Sequence, residues 1–200
     1  MNFRLLSLQA TFGVCIKASA FALTIYWISA LTIHSGIEKT GKILGLLAVA
    51  NLISSFSLLG SKNQILGKML EVQSSRKNFV LLTIHKQGVQ FVLLNSLVVF
   101  AFLNVAAEHL TLLSKSAVSF DIFNLSLFIS LITVWSTFLQ VQGKILLSFF
   151  VQSGAIPLIF SLAVWVGSDS PVTVVSLITI PSFVFNVCFL IAVLLMKTEK

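Results

Sequence analysis

Six long apolar stretches recur along the 200-residue chain: Thr11 to Ile33, Ile43 to Gly60, Val89 to Ala107, Ile122 to Leu139, Ile145 to Gly167 and Val172 to Met196. Five of them carry no charged residue, and the first carries only Lys17. Each is long enough to cross a hydrocarbon core of about 30 Å as an α-helix, which takes roughly 17–25 residues. Strands of a transmembrane barrel alternate apolar and polar residues, whereas runs such as SLVVF and LIAVLLM are apolar at every position. Helices also satisfy their own backbone hydrogen bonds in lipid. The expected fold is therefore an all-α integral membrane protein, a six-transmembrane-helix bundle forming one domain over residues 1–200. Its expected spans are about 11–33, 43–60, 89–107, 122–139, 145–167 and 172–196.

Composition agrees. Hydrophobic residues make up 57% of the chain and charged residues 10%, against about 25% charged in an ordinary soluble domain. No polar segment is long enough to build a separate soluble domain. The start, MNFRLLSLQATFGVCIKASA, has an early charge and an A-S-A that imitates a cleavage site, but the apolar core ahead of it is short and broken by Lys17. An uncleaved first span is the expectation.

Basic residues set the expected orientation, because Lys and Arg concentrate in cytoplasmic loops. Counted on alternate sides of six spans, one side holds Arg4, Lys62, Lys68, Arg76, Lys77, Lys86, Lys144, Lys197 and Lys200, and the other holds only Lys39, Lys42 and Lys115. Both termini are therefore expected to be cytoplasmic. The net charge of +7 follows from this topology, and no nucleic-acid partner is implied, since the basic residues flank spans instead of covering one face of a domain. The one sizeable connection, about 61–88, contains KNQILGKMLEV, which places Ile65, Met69 and Val72 on one helical face and Lys62, Lys68 and Glu71 elsewhere. It reads either as an interfacial amphipathic helix or as a cytoplasmic extension of a neighbouring span. Phe79 to Ile84 is expected to begin a long third helix.

Chemistry is sparse. Cys15 and Cys188 both lie in apolar spans without a C-x-x-C around them, and they read as small hydrophobes. His34, His85 and His109 are dispersed, in no metal-ligand spacing. P-loop, G-x-S-x-G and H-E-x-x-H patterns are absent, and no acidic residue lies deep in a span, which removes the usual proton-relay carboxylate. No catalytic residue, cofactor or metal is expected, and the chain is not read as an enzyme.

Polar residues inside the spans are the remaining candidates. Lys17 either snorkels to the cytoplasmic interface or faces a cavity that receives an anionic head group. Asn51, within LLAVANLISSFS, either bonds another helix or lines a polar cavity. Asn95, Asn104, Asn124 and Asn186 pose the same choice. Pro157 and Pro181 interrupt the fifth and sixth spans and favour bends.

The layout resembles a family. An E-x-x-G at Glu38 to Gly41, a Leu-Gly at Leu59 and Gly60, a basic amphipathic loop, and above all FLQVQGKILLSFFVQSGAIPLIF are similar to the first half of Wzx-type polysaccharide flippases. These belong to the multidrug/oligosaccharidyl-lipid/polysaccharide exporter superfamily. The resemblance covers nearly the whole chain in layout, through short motifs.

It implies one lobe of that superfamily's fold, in the bacterial inner (cytoplasmic) membrane. The implied function is transfer of an undecaprenyl-diphosphate-linked oligosaccharide between leaflets for surface polysaccharide or O-antigen assembly. Implied partners are membrane lipid, the lipid-linked oligosaccharide and a second six-helix half, since family members carry a second bundle and this chain ends where the first would hand over. The chain is then a truncated product, half of a split pair, or a copy that dimerises to rebuild two lobes. Lys17 matches the family's tendency to place a cation in the first helix and is the first candidate for head-group contact, with Asn51 and Lys144 as further candidates. Lys144 matches the basic turn, where fixing topology is its other role. A noncatalytic membrane scaffold subunit is the alternative reading.

Overall fold

The computed structural model describes the backbone of residues 3–58, 61–74, 78–109, 116–166 and 171–195, and the side chains of residues 11–58, 63, 65–69, 71, 83–102, 120–166, 178–189 and 191. All described elements are helical: α1 (Phe3–Ser35), α2 (Ile37–Leu58), α3 (Ser61–Ser74), α4 (Asn78–His109), α5 (Ser116–Val141), α6 (Ile145–Phe149), a π-helical turn (Phe150–Gly154), α7 (Ala155–Val166) and α8 (Pro171–Leu195). Among the described residues, four segments are long and apolar enough to cross a membrane: Thr11–Ser35, Ile37–Leu58, Phe120–Val141 and Ile145–Val166. The expected third and sixth spans fall on α4 and α8; their side chains over 103–107, 172–177, 190 and 192–196 lie outside the described residues, as does the Leu59-Gly60 pair.

The first connection corrects the sequence reading. Gly36 alone separates α1 from α2, at φ 81°, a left-handed conformation that costs glycine nothing. Its N–H donates to Thr32 O at 3.0 Å, and Thr40 N–H donates to Gly36 O at 3.2 Å. Glu38, Lys39, Gly41 and Lys42, expected in a loop ahead of the second span, instead lie on the first turns of α2. There Lys42 Nζ meets Glu38 Oε1 at 2.9 Å across one helical turn, and Glu38 also faces the positive end of the helix dipole.

A second glycine ends α5. Gly143, at φ 78°, donates to Gln140 O at 3.0 Å, while Lys144 N–H reaches Leu139 O at 2.9 Å. This pair of bonds is a Schellman closure, in which the residue at the left-handed position is usually glycine. The turn falls at the expected place, between Gln140 and Lys144. Beyond it the fifth apolar stretch is not a uniform α-helix. Pro157 has no N–H to return to the carbonyl four residues back, and just ahead of it the helix widens, with Ala155 N–H bonding Phe150 O.

The chain packs as two compact units. The first comprises Met1–Leu44 and Trp135–Ile178. Within it α1 packs along α7: Ser161 Oγ donates to Leu23 O at 3.2 Å, and Trp27 lies 4.9 Å from Phe160 between ring centroids. Phe149 meets α1 nearer its start, at Gly13 and Lys17. Contacts that advance together along both helices make them parallel.

The second unit comprises Gly45–Val134 and Thr179–Lys200. Val89 and Val92 of α4 interlock with Leu127, Leu131 and Val134 of α5. Phe100 stacks near Phe123 at 4.5 Å while Gly88 faces Val134, so α4 and α5 are antiparallel neighbours. The short helix α3 lies on α4 with Ile65 and Met69 buried and Lys68 and Glu71 exposed. Its apolar face is thus covered by protein, at least at these positions; the side chains of Lys62 and Val72 are outside the described residues.

Candidate functional site

Between Thr11 and Ile33 α1 carries one charge, Lys17, and that side chain is exposed on the surface of the first unit. Glu38 pairs with Lys42, and among the described residues no carboxylate pairs with the Lys17 ammonium. Its neighbour is a ring: Nζ lies 5.4 Å from the centroid of Phe149, within the range of a cation–π contact. Gly13, one turn earlier on α1, lies under the same ring, and a Cβ built there would meet Phe149 Cδ2 and Cε2 at 3.1 Å. The ring therefore rests where α1 has no side chain.

Depth along α1 can be counted from the Gly36 turn. At 1.5 Å per residue a hydrocarbon core of about 30 Å takes roughly twenty residues, which brings Lys17 to within about one turn of the far edge. The other helix gives the same level, since Phe149 lies five residues, or about 7.5 Å, beyond Lys144 at the end of the Schellman turn. A lysine at mid-membrane costs about 2.5–3.5 kcal/mol, and far less when its stem reaches the interface. Lys17 thus lies toward the N-terminal end of the apolar stretch Thr11–Ser35.

Lys144 is exposed at the start of α6, its carbonyl accepting from Ser148 N–H at 3.0 Å. It belongs to the same unit as Lys17, at the turn. Asn51 belongs to the other unit. It is exposed, its Nδ2 donates to Leu47 O at 3.0 Å within its own helix, and its carbonyl accepts from Ser55 Oγ at 2.9 Å. The hydrogen bond to another helix anticipated for Asn51 is not made among the described residues. Lys17 and Lys144 thus belong to one unit and Asn51 to the other.

Sequence reasoning missed the polar seam of the second unit. Asn124 of α5 donates from Nδ2 to Thr179 O of α8 at 2.7 Å, and Asn186 Nδ2 donates to Asn124 O at 3.1 Å and Oδ1 at 2.9 Å. The hydroxyls of Ser54 and Ser130 are 2.9 Å apart, and Ser130 donates to Ser126 O at 2.8 Å, which leaves Ser54 as the donor to Ser130. Asn95 Nδ2 donates to Ser57 O at 3.1 Å. These groups tie α2, α4, α5 and α8 together, and their signal was a spacing: Asp121 and Asn124, then Thr179, Ser182 and Asn186, recur at helical intervals in otherwise apolar stretches. The seam is structural, because its members bond one another.

No group of three or more His, Cys, Asp or Glu capable of holding a metal occurs among the described residues. Cys15 and Cys188 are free and exposed, in different units. Comparison of the chain with family models, with curated proteins and with solved structures finds no match in any of the three.

Proposed function

We propose that this chain is a multi-pass membrane protein that serves as one six-helix lobe of a flippase. Its cargo is an undecaprenyl-diphosphate-linked oligosaccharide, carried from the inner to the outer leaflet of the bacterial cytoplasmic membrane. The observation that carries this reading is Lys17: an exposed ammonium with no carboxylate partner among the described residues, toward the N-terminal end of the apolar stretch Thr11–Ser35. A diphosphate is attracted to such an ammonium as to a point charge. The apolar surface of α1 suits the polyprenyl tail, and no bond is made or broken. A single six-helix lobe leaves the transport path open on one side, so the function is assigned to an assembly with a second lobe, which rocks against the first for alternating access.

One observation favours the rival reading, a noncatalytic scaffold subunit. The second unit is held by interhelical hydrogen bonds from Asn124, Asn186, Asn95 and Ser130, a rigid arrangement that suits a platform for partner helices as well as a transport lobe.

The two separate on deletion in the cell that makes the protein. Loss of surface polysaccharide, restored by the wild type but not by Lys17→Ala at equal membrane level, supports the flippase. Normal export on deletion, or full rescue by Lys17→Ala, contradicts it.

A further inference from the structure

Gly13 and Lys17 are four residues apart and so lie one above the other on the same face of α1. Phe149 occupies that face. Its Cδ2 and Cε2 would stand 3.1 Å from a Cβ at position 13, so a side chain there would push the ring away by a few tenths of an ångström, and its centroid is 5.4 Å from Lys17 Nζ. The missing side chain at Gly13 thus brings the ring down onto α1, and the lowered ring lies beneath the ammonium. Phe149 is the last residue of α6 before the π-helical turn at Phe150–Gly154.

A lysine stem in contact with lipid samples many rotamers, and a phosphate must hold one of them. An aromatic face removes that freedom without neutralising the charge, because it attracts the cation through its quadrupole while the remaining N–H donors point away from the ring. A carboxylate in the same place would compete with an incoming phosphate; a ring does not. Resting on the reading of Lys17 as a phosphate contact, we infer that Phe149, seated on Gly13, is the positioning residue of this site. It holds the Lys17 ammonium ready for the phosphate group of a membrane lipid, without touching the phosphate itself.

The test uses the full chain in phosphatidylcholine nanodiscs, with lysines converted to 13C-dimethyl-lysine and the Lys17 signal assigned through Lys17→Arg. The Lys17 methyls are expected upfield of the other lysines through the ring current of Phe149. Phe149→Tyr keeps that shift, Phe149→Leu abolishes it, and Gly13→Ala reduces it by lifting the ring, which covers the case in which Phe149→Leu fails to fold. Replacing part of the phosphatidylcholine by dioleoyl phosphatidic acid moves the wild-type signal, and Phe149→Leu needs about fivefold more of the anionic lipid for half the response. Inorganic phosphate at the same concentration leaves the signal in place.

A Lys17 signal identical in wild type, Phe149→Leu and Gly13→Ala overturns the positioning role, as does an unchanged response to phosphatidic acid in Phe149→Leu. An equal response to inorganic phosphate overturns the assignment to lipid. These readouts are independent of export: lipid-phosphate binding as described, with export unaffected by Lys17→Ala, would sink the flippase reading and leave the positioning role standing.

Discussion

Asn186 donates from a single amide nitrogen to both the main-chain and the side-chain oxygen of Asn124, at 3.1 and 2.9 Å. Both residues are almost completely buried. In an apolar surrounding neither amide has water to fall back on, and helices in lipid are held by packing and by such bonds instead of by exclusion of water. Asn186→Ala and Asn124→Ala are each predicted to destabilise the chain by about 1 kcal/mol, with a positive coupling between them, because interhelical bonds in membranes contribute about 0.6 and at most about 1.7 kcal/mol. Denaturant titration in detergent micelles checks this; additive losses in the double variant would contradict the pairing.

The two left-handed glycines give a sharper contrast. Gly36 and Gly143 have φ of 81° and 78°, where a Cβ costs about 1–2 kcal/mol. Gly36→Ala and Gly143→Ala are therefore predicted to lower the unfolding midpoint, although nothing lies within 4 Å of either Cβ position. Gly41 and Gly45 are equally open but helical, so Gly41→Ala and Gly45→Ala should be neutral or slightly stabilising, since alanine favours helix by about 1 kcal/mol. Thermal melts of the four variants test this, and equal losses at all four positions would be the contrary result.

Topology makes a third prediction. Lys39 follows the Gly36 turn and Lys144 follows the Gly143 turn, and the balance of basic residues assigns these to opposite faces of the membrane. In a background with Cys15 and Cys188 replaced by alanine, Lys39→Cys should react with a membrane-impermeant maleimide in intact spheroplasts. Lys144→Cys should react only after permeabilisation. Labelling of both from the same face would remove the alternating six-span arrangement.

The features legible in the sequence were those that break an apolar background. Lys17 stood out as the one charge in its stretch, and Gly143 with Lys144 marked a turn that the structure places between α5 and α6. The charges at Glu38, Lys39 and Lys42 misled, because charge density reads as a loop, while Gly36 turns the chain in one residue and sends those charges onto α2. Phe149 was illegible for the opposite reason: it is one of 18 phenylalanines, and only the proximity of α1 and α6 singles it out. The widened turn before Pro157 was legible only as a bend. Asn124 and Asn186 were visible as polar residues, but pairing across helices is a tertiary fact that no periodicity in an all-round apolar helix encodes.

The central claim is that lipid-linked saccharide diphosphate meets the chain at Lys17, and photocrosslinking tests it most directly. A benzophenone amino acid in place of Ala18, exposed beside Lys17 on α1, is irradiated in cells that make the protein, and the adducts are weighed after purification. The account predicts an adduct carrying a polyprenyl-diphosphate saccharide that is lost when Lys17→Ala is added and kept with Lys17→Arg. Adducts with bulk phospholipid alone, or a saccharide adduct indifferent to Lys17→Ala, would contradict it.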